Sequence, residues 1–185
     1  NIVIFQIADQ RRSPDEIALM AVTKIFSPEH IREAFAAGQR LFGENRVQEF
    51  AEKHAALRGL AGIEFHMIGH LQSNKANKAA ELFSAVDSLD SLRLGEKLNH
   101  AAARLNRRLP VMIEINLGNE ETKSGVLPDS AELEELLQGV ARLDHLEVRG
   151  LMAIPPFSES PEGARPYFLR LRQLRDRLAA RRLPR

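Results

Sequence analysis

Short apolar runs alternate with longer segments of helical periodicity along this chain, and no other feature restricts its fold as strongly. The apolar runs predict strands at residues 19–23, 40–42, 63–68, 85–89, 111–117 and 146–154. Each run is followed by a segment in which apolar residues recur every three or four positions, which predicts a helix. Strand-plus-helix units in succession indicate a parallel sheet with helical crossovers.

Capping residues and apolar spacing define several of the predicted helices. Ser27 followed by Pro28 predicts one helix start, and Gly38 is placed to end that helix. Asp129 and Glu132 have the spacing of a capping box and predict the start of a later helix. Further helices are predicted over residues 46–57 and 73–83. The last helix is predicted from one apolar face, made by Phe168, Leu171, Leu174 and Leu178.

Two architectures fit this order of elements. One is a doubly wound open sheet, and the other is a (β/α)₈ barrel of the TIM type whose last two βα units are missing from this sequence. The chain has neither the GxGxxG of a dinucleotide fold nor the GxxxxGK[ST] of a P-loop. The pattern by itself leaves both architectures open. Because no low-complexity linker interrupts the series, we expect a single domain over residues 1–185.

The composition narrows the classes of function. The 185 residues carry a formal net charge of +1, which gives no general electrostatic case for nucleic acid or an anionic membrane. No apolar stretch approaches the ~20 residues of a membrane helix. Cysteine is absent, which removes disulfides, thiolate catalysis and cysteine zinc sites and fits a cytoplasmic location. An arginine-rich last helix with few aromatic residues nearby predicts a solvated face.

Candidate site residues stand at or near the ends of the predicted strands, where both architectures place their chemistry. They include Lys24, Asn45, His66, Asp87 and Met152. Taken singly, His66 fits a hydrogen-bonded core histidine, Asn45 fits a turn residue and Met152 fits core packing. The sequence spacing does not choose between these structural roles and a binding site.

Lys24 has two alternatives of its own at the end of the first strand. Its stem can cover apolar surface while the ammonium reaches water. Alternatively, burial lowers its pKa and leaves a neutral amine that can attack an aldehyde. The strand period puts Lys24 on the same face as Met20 and Val22, so the amine points inward if that face lines a barrel.

Five segments occur in register with a known family. They are "LMAVTK", "RLFGENRVQE", "EFHMIGHLQSNK", "INLGNEETKSG" and "VRGLMAIPP". The set closely resembles the pyridoxal-phosphate homeostasis protein family, which looks like the N-terminal barrel of alanine racemase standing alone. The resemblance implies a TIM-type barrel that binds pyridoxal 5′-phosphate (PLP) as a Schiff base on Lys24, with Asn45, His66 and Met152 in the cofactor pocket and no metal. It also implies two further strands and a phosphate-binding turn, so we expect the chain to be incomplete at its carboxyl end.

The resemblance implies a cytoplasmic, monomeric protein that stores, buffers or delivers PLP, with apo-PLP enzymes as recipients and little or no turnover. Alanine racemases use a tyrosine from a second domain as an acid/base, whereas the one tyrosine here, Tyr167, lies in the last predicted helix. The alternatives are an amino-acid racemase that acts with a partner chain and a Schiff-base aldolase without a cofactor.

Overall fold

The protein is described here by a computed structural model covering residues 16–120 and 123–181. Residues 1–12, whose pattern fits either a strand or a helix, lie outside the described residues. The strands are β1 Ala21–Val22, β2 Leu41–Glu44, β3 Glu64–Met67, β4 Ala85–Leu89, β5 Leu109–Glu114 and β6 Leu146–Met152. The helices are α1 Pro28–Ala36, α2 Val47–His54, α3 Ala76–Leu82, α4 Leu92–Arg104, α5 Ala131–Val140 and α6 Pro161–Ala180.

The strands of the described residues form one parallel sheet in the order β1-β2-β3-β4-β5-β6. A doubly wound sheet reverses its strand order at a switch point, whereas this sheet grows in one direction only. Right-handed crossovers between successive neighbours put the helices on one face, as in a TIM-type barrel. The predicted α/β fold of the TIM type is therefore confirmed, with six βα units present.

The strand register separates the two faces of the sheet. Ala21, Phe42 and Phe65 pair in sequence across β1, β2 and β3 and face the helices. The ring of Phe50 in α2 lies 4.4 Å from that of Phe65 and 4.8 Å from that of Phe83, centroid to centroid. The hydrophobic core is therefore the layer between the sheet and the helices.

The opposite face of the sheet carries two polar residues discussed below, His66 and Glu114. Val22, Gly43, His66 and Ala85 pair in register across β1 to β4, and we call the face that they share the inner face. On β5, Glu114 alternates with core residues and pairs in register with Met152 of β6, which extends the inner face to the far edge of the sheet.

Besides shifts of up to three residues at the ends of other strands and helices, the structure differs from the sequence prediction at three places. The first strand is only Ala21–Val22 rather than residues 19–23, and Leu19 is 48% exposed, because β1 is an edge strand whose sole neighbour among the described residues is β2. The cap of α5 is Ser130, whose Oγ accepts from Leu133 N at 3.1 Å. Asp129, the predicted cap, instead adopts φ +61°. On α6, Phe168 is 42% exposed and does not share the burial of the rest of its predicted face.

The arginines of α6 lie on a solvated face and have acidic neighbours. Arg165 pairs with Glu162 and Arg175 with Asp176 within the helix, while Arg181 pairs with Glu134 of α5. Among the helices of the described ranges, none has both the length and the hydropathy that a bilayer crossing requires.

Candidate functional site

The structure places the four predicted site residues on the inner face or at the carboxyl-terminal edge of the sheet. Asn45 directly follows β2, His66 lies within β3, and Met152 is the last residue of β6. Lys24 lies in the turn after β1. Strand pairing brings the segments of Lys24, Asn45 and His66 side by side, whereas Met152 lies four strands away from β2.

Lys24 is exposed to solvent. Thr23 N donates to Gly43 O at 2.9 Å, and Phe26 N then donates to Thr23 O at 2.9 Å, which closes a turn with Lys24 and Ile25 at its centre. Of the two alternatives drawn from the sequence, the structure contains the exposed amine, and the buried amine is not found. The reason is that Lys24 lies beyond the strand ladder, at an edge where β2 is the one strand that pairs with β1 among the described residues.

A buried ion pair lies directly behind this turn. Glu44, which is fully buried, faces the helices because it pairs in register with the core residue Met67. Its carboxylate accepts from Thr23 Oγ1 at 2.8 Å and from Lys53 Nζ at 3.0 Å and 3.2 Å. Lys53 Nζ also donates to the carbonyl oxygens of Thr23 at 3.0 Å and Lys24 at 3.3 Å.

His66 is fixed by a carboxylate on the next strand. Its Nδ1 lies 2.9 Å from Asp87 Oδ2, and the His66 side chain is 14% exposed. Asp87 is buried, and its second oxygen, Oδ1, has no hydrogen-bond partner among the described residues. His66 is therefore an oriented imidazole on the inner face, with Nδ1 held by Asp87 and Nε2 3.9 Å from Glu64 Oε2.

Asn45 is packed against the loop that follows β3. A Cβ added to Gly69 would lie 2.7 Å from the Cβ of Asn45 and closer still to its carbonyl oxygen. Because real Cβ atoms do not approach this closely, Asn45 can hold its position only while residue 69 is glycine.

A cavity of about 480 Å³ opens beside the end of β5, on the same edge of the sheet. Its lining residues are His70, Glu114, Ile115, Asn116, Lys123, Ser124 and Ile154. Glu114 Oε1 accepts from Ser124 Oγ at 3.0 Å, whereas the buried Oε2 has no partner among the described residues. Burial raises the pKa of Glu114, and Asp90 raises it further, while the bond from Ser124 and the nearby His70 lower it.

Two residues of this region were not identified from the sequence. Lys53 lies three positions after Phe50 and six after Val47, on the buried side of α2. A lysine at a core-facing helical position is the sequence signal that could have identified it. Glu114 alternates with buried residues of β5, so the two-residue period of a strand could have identified it. Within the described ranges, no group of three or more His, Asp or Glu side chains is placed to hold a metal ion.

Three comparisons relate the chain to known proteins. The family described as alanine racemase, N-terminal domain, matches residues 6–185. The chain is 44% identical over 160 residues to the pyridoxal phosphate homeostasis protein of Aquifex aeolicus, covering 86% of this chain and 69% of that protein. It is 48% identical over 151 residues to the protein of the same name from Escherichia coli K12, covering 80% and 64%.

A solved structure is also similar to this chain in fold and sequence. PipY of Synechococcus elongatus, determined with PLP bound, superposes with a TM-score of 0.82 at 36% identity, covering 92% of this chain and 78% of that one. The chain spans about two thirds of the length of the two curated relatives. From the match over residues 6–185 and these identities, the chain belongs to the alanine racemase N-terminal domain family and, within it, to the pyridoxal phosphate homeostasis proteins.

Proposed function

We propose that this protein binds PLP through a Schiff base on Lys24 and serves intracellular PLP homeostasis, by storing, buffering or delivering the cofactor. The observation that carries the proposal is an accessible lysine amine at the carboxyl end of β1, beside an inner face that presents an oriented histidine. The likeness to PipY, a protein solved with PLP bound, supports it.

The residues present fit the aldehyde and ring of the cofactor. When bound, PLP supplies an aldehyde that condenses with a primary amine and releases water. Lys24 is the amine in this proposal, and its exposure leaves it open to attack an incoming carbonyl. Asn45 offers an amide donor and acceptor, and Met152 offers a polarizable apolar side chain. His66 contributes a flat ring whose orientation is fixed by Asp87.

We propose that the protein turns over little or no substrate and has no catalytic residue of its own. Its one tyrosine, Tyr167, lies in α6 and packs against the core of the protein. A proton donor in that position has no access to a ligand on the inner face of the sheet. Delivery to apo-PLP enzymes, a monomeric state and a cytoplasmic location belong to the same proposal.

The test is to mix the protein with PLP, reduce the adduct with borohydride and locate the modified lysine by peptide mass spectrometry. We expect the label on Lys24, and we expect the visible absorption band and the label to disappear in Lys24→Ala. Lys78→Ala is the matched control, because Lys78 is an exposed lysine that forms an ion pair with Glu81 at 3.0 Å. Labelling that persists undiminished in Lys24→Ala would contradict the proposal.

The same preparation tests the racemase alternative. Amino acids added with PLP in heavy water would exchange their α-hydrogen for deuterium if the protein acted as a racemase. We expect no exchange above that given by free PLP.

A further inference from the structure

We propose that Lys53 is a positioning residue for Lys24, holding the main chain of the Lys24 turn in the geometry needed for capture of an aldehyde. This inference rests on the proposed function, since it concerns the lysine that would form the Schiff base. It adds a role for a residue on another element, α2, which does not itself line the inner face.

The contacts of Lys53 account for all of its hydrogen-bonding capacity. An ammonium group has three N–H donors and no acceptor. Its Nζ lies within hydrogen-bond distance of three groups: the Glu44 carboxylate at 3.0 Å, Thr23 O at 3.0 Å and Lys24 O at 3.3 Å. The ion pair with Glu44 alone would need one of these donors. The other two go to consecutive carbonyl oxygens of the segment that carries Lys24.

The direction of the side chain explains how a residue near the end of α2 reaches this turn. Side chains of a helix tilt toward its amino terminus, and α2 begins three residues after β2 ends. Lys53 therefore extends back along α2 toward the carboxyl edge of the sheet. There it meets Glu44, whose own position is fixed by Thr23 Oγ1 at 2.8 Å.

The turn has few other restraints, which is why these bonds matter. Within the described ranges, β1 has two residues and pairs with β2 alone, so the ladder ends at Val22, with one further bond from Thr23 N to Gly43 O. Beyond it, the main chain is held by the turn bond from Phe26 N to Thr23 O and by Lys53. Without Lys53, the Lys24 turn is held by the bonds of Thr23 N and Phe26 N and by its continuation into α1, and the carbonyls of Thr23 and Lys24 lose their bonds from the ammonium.

The decisive variant replaces both members of the ion pair. Removing Lys53 alone would leave the fully buried carboxylate of Glu44 without its cation, which is strongly destabilising and would confuse misfolding with misplacement. The double variant Glu44→Met/Lys53→Met has no buried charge and similar volume, and it still lacks the donors to both carbonyls. If it does not fold, Glu44→Gln/Lys53→Met carries the same test, because glutamine keeps an acceptor for Thr23 Oγ1 while methionine supplies no donor to the two carbonyls.

Two readouts separate the positioning role from the binding function. Without PLP, we expect amide hydrogen exchange of residues 23–26 to be about tenfold faster in the double variant, with β4 unchanged. With PLP, we expect the rate of borohydride-trapped adduct on Lys24 to fall about tenfold to a hundredfold, since misplacement of a reacting group by about 1 Å costs this much. Lys53→Arg, which keeps a cation, should recover most of the adduct rate, and Lys78→Met should match the unmodified protein.

The outcomes discriminate between the two proposals. A folded double variant with unchanged exchange in residues 23–26 overturns the positioning role, and so does faster exchange with an unchanged adduct rate. If Lys24→Ala still forms the adduct, the Schiff-base assignment fails instead, and the location of the label reports that failure separately. Faster exchange together with a slower adduct rate, reversed by Lys53→Arg, supports the role.

Discussion

Nδ1 of His66 on β3 lies 2.9 Å from Oδ2 of Asp87 on β4. The two residues are brought together by the parallel register, in which His66 pairs with Ala85, two positions before Asp87 on the same face. A carboxylate at Nδ1 favours a proton on that nitrogen and leaves Nε2 for another partner. The strand pairing thus orients a side chain proposed to contact the cofactor.

We expect Asp87→Ala to weaken PLP binding about as much as His66→Ala, roughly tenfold in Kd, which corresponds to the loss of about 1.4 kcal/mol. The two residues act as a unit, so the double variant should lose little more than either single one. Asp87→Asn, which keeps an oxygen for Nδ1, is the matched control and should bind nearly normally. Titration of the visible band with PLP measures all four proteins, and additive losses would show that His66 does not depend on Asp87.

Gly69 should be required for the position of Asn45. A methyl group at residue 69 would lie 2.7 Å from Asn45 Cβ, so we expect Gly69→Ala to cost about 1–3 kcal/mol in the free energy of unfolding. It should also weaken PLP binding by moving Asn45. Gly150→Ala is the matched control, because nothing lies within 4 Å of the Cβ that it would add. Urea unfolding measures both variants, and equal stabilities would show that the loop after β3 yields freely.

Most of the fold follows from local patterns in the sequence. The strand predicted at residues 85–89 matches β4 at both ends, and all five of its residues are buried. The Ser27–Pro28 start of α1 is confirmed, since proline at the first helical position needs no amide donor. The parallel order of the strands follows from the helix between each pair. These features depend on neighbours in sequence, which a single chain reveals.

Other features depend on contacts between distant residues and could not be predicted. The two-residue length of β1 depends on its place at the sheet edge. The helix cap at Ser130 rather than Asp129 depends on a turn in which Asp129 adopts a left-handed conformation. The contact of Lys53 with the Lys24 turn joins residues 29 positions apart. Lys24, Asn45, His66 and Met152 were selected through the resemblance, and their roles toward PLP remain predictions.

Arg107 should stabilise the end of α3 through several carbonyl groups at once. Its guanidinium donates to Ala80 O at 3.3 Å, Phe83 O at 3.2 Å and Ser84 O at 3.0 Å. The carbonyls of Ala80 and Phe83 are among those that the end of a helix leaves without partners, whereas Ser84 lies in the link between α3 and β4. Lysine cannot reproduce the planar fork, so we expect Arg107→Lys to lower the free energy of unfolding by about 1–2 kcal/mol.

The matched control is Arg108→Lys, because Arg108 is exposed and makes one such bond, to Leu146 O at 3.3 Å. We expect its stability to change by no more than about 0.5 kcal/mol. Urea unfolding followed by circular dichroism compares the two variants. An equal loss in both would mean that the three carbonyl contacts of Arg107 add nothing to the helix end.

We expect the buried carboxyl of Glu114 to lower the free energy of unfolding at neutral pH and not in acid. Burial raises its pKa above the ordinary value of 4.5, so between 4.5 and the raised value the folded protein binds more protons than the unfolded chain. The free energy of unfolding therefore falls as the pH rises through this window.

Glu114→Gln keeps an acceptor for Ser124 and removes the charge, so we expect a higher Tm than that of the unmodified protein at about pH 7.5, by roughly 2–4 °C for each kcal/mol gained. At about pH 4, where the carboxyl is mostly protonated in both states, most of the gain should vanish. The exposed Glu96 provides the control Glu96→Gln, and a gain for Glu114→Gln that persisted unchanged at about pH 4 would rule out the buried charge as its cause.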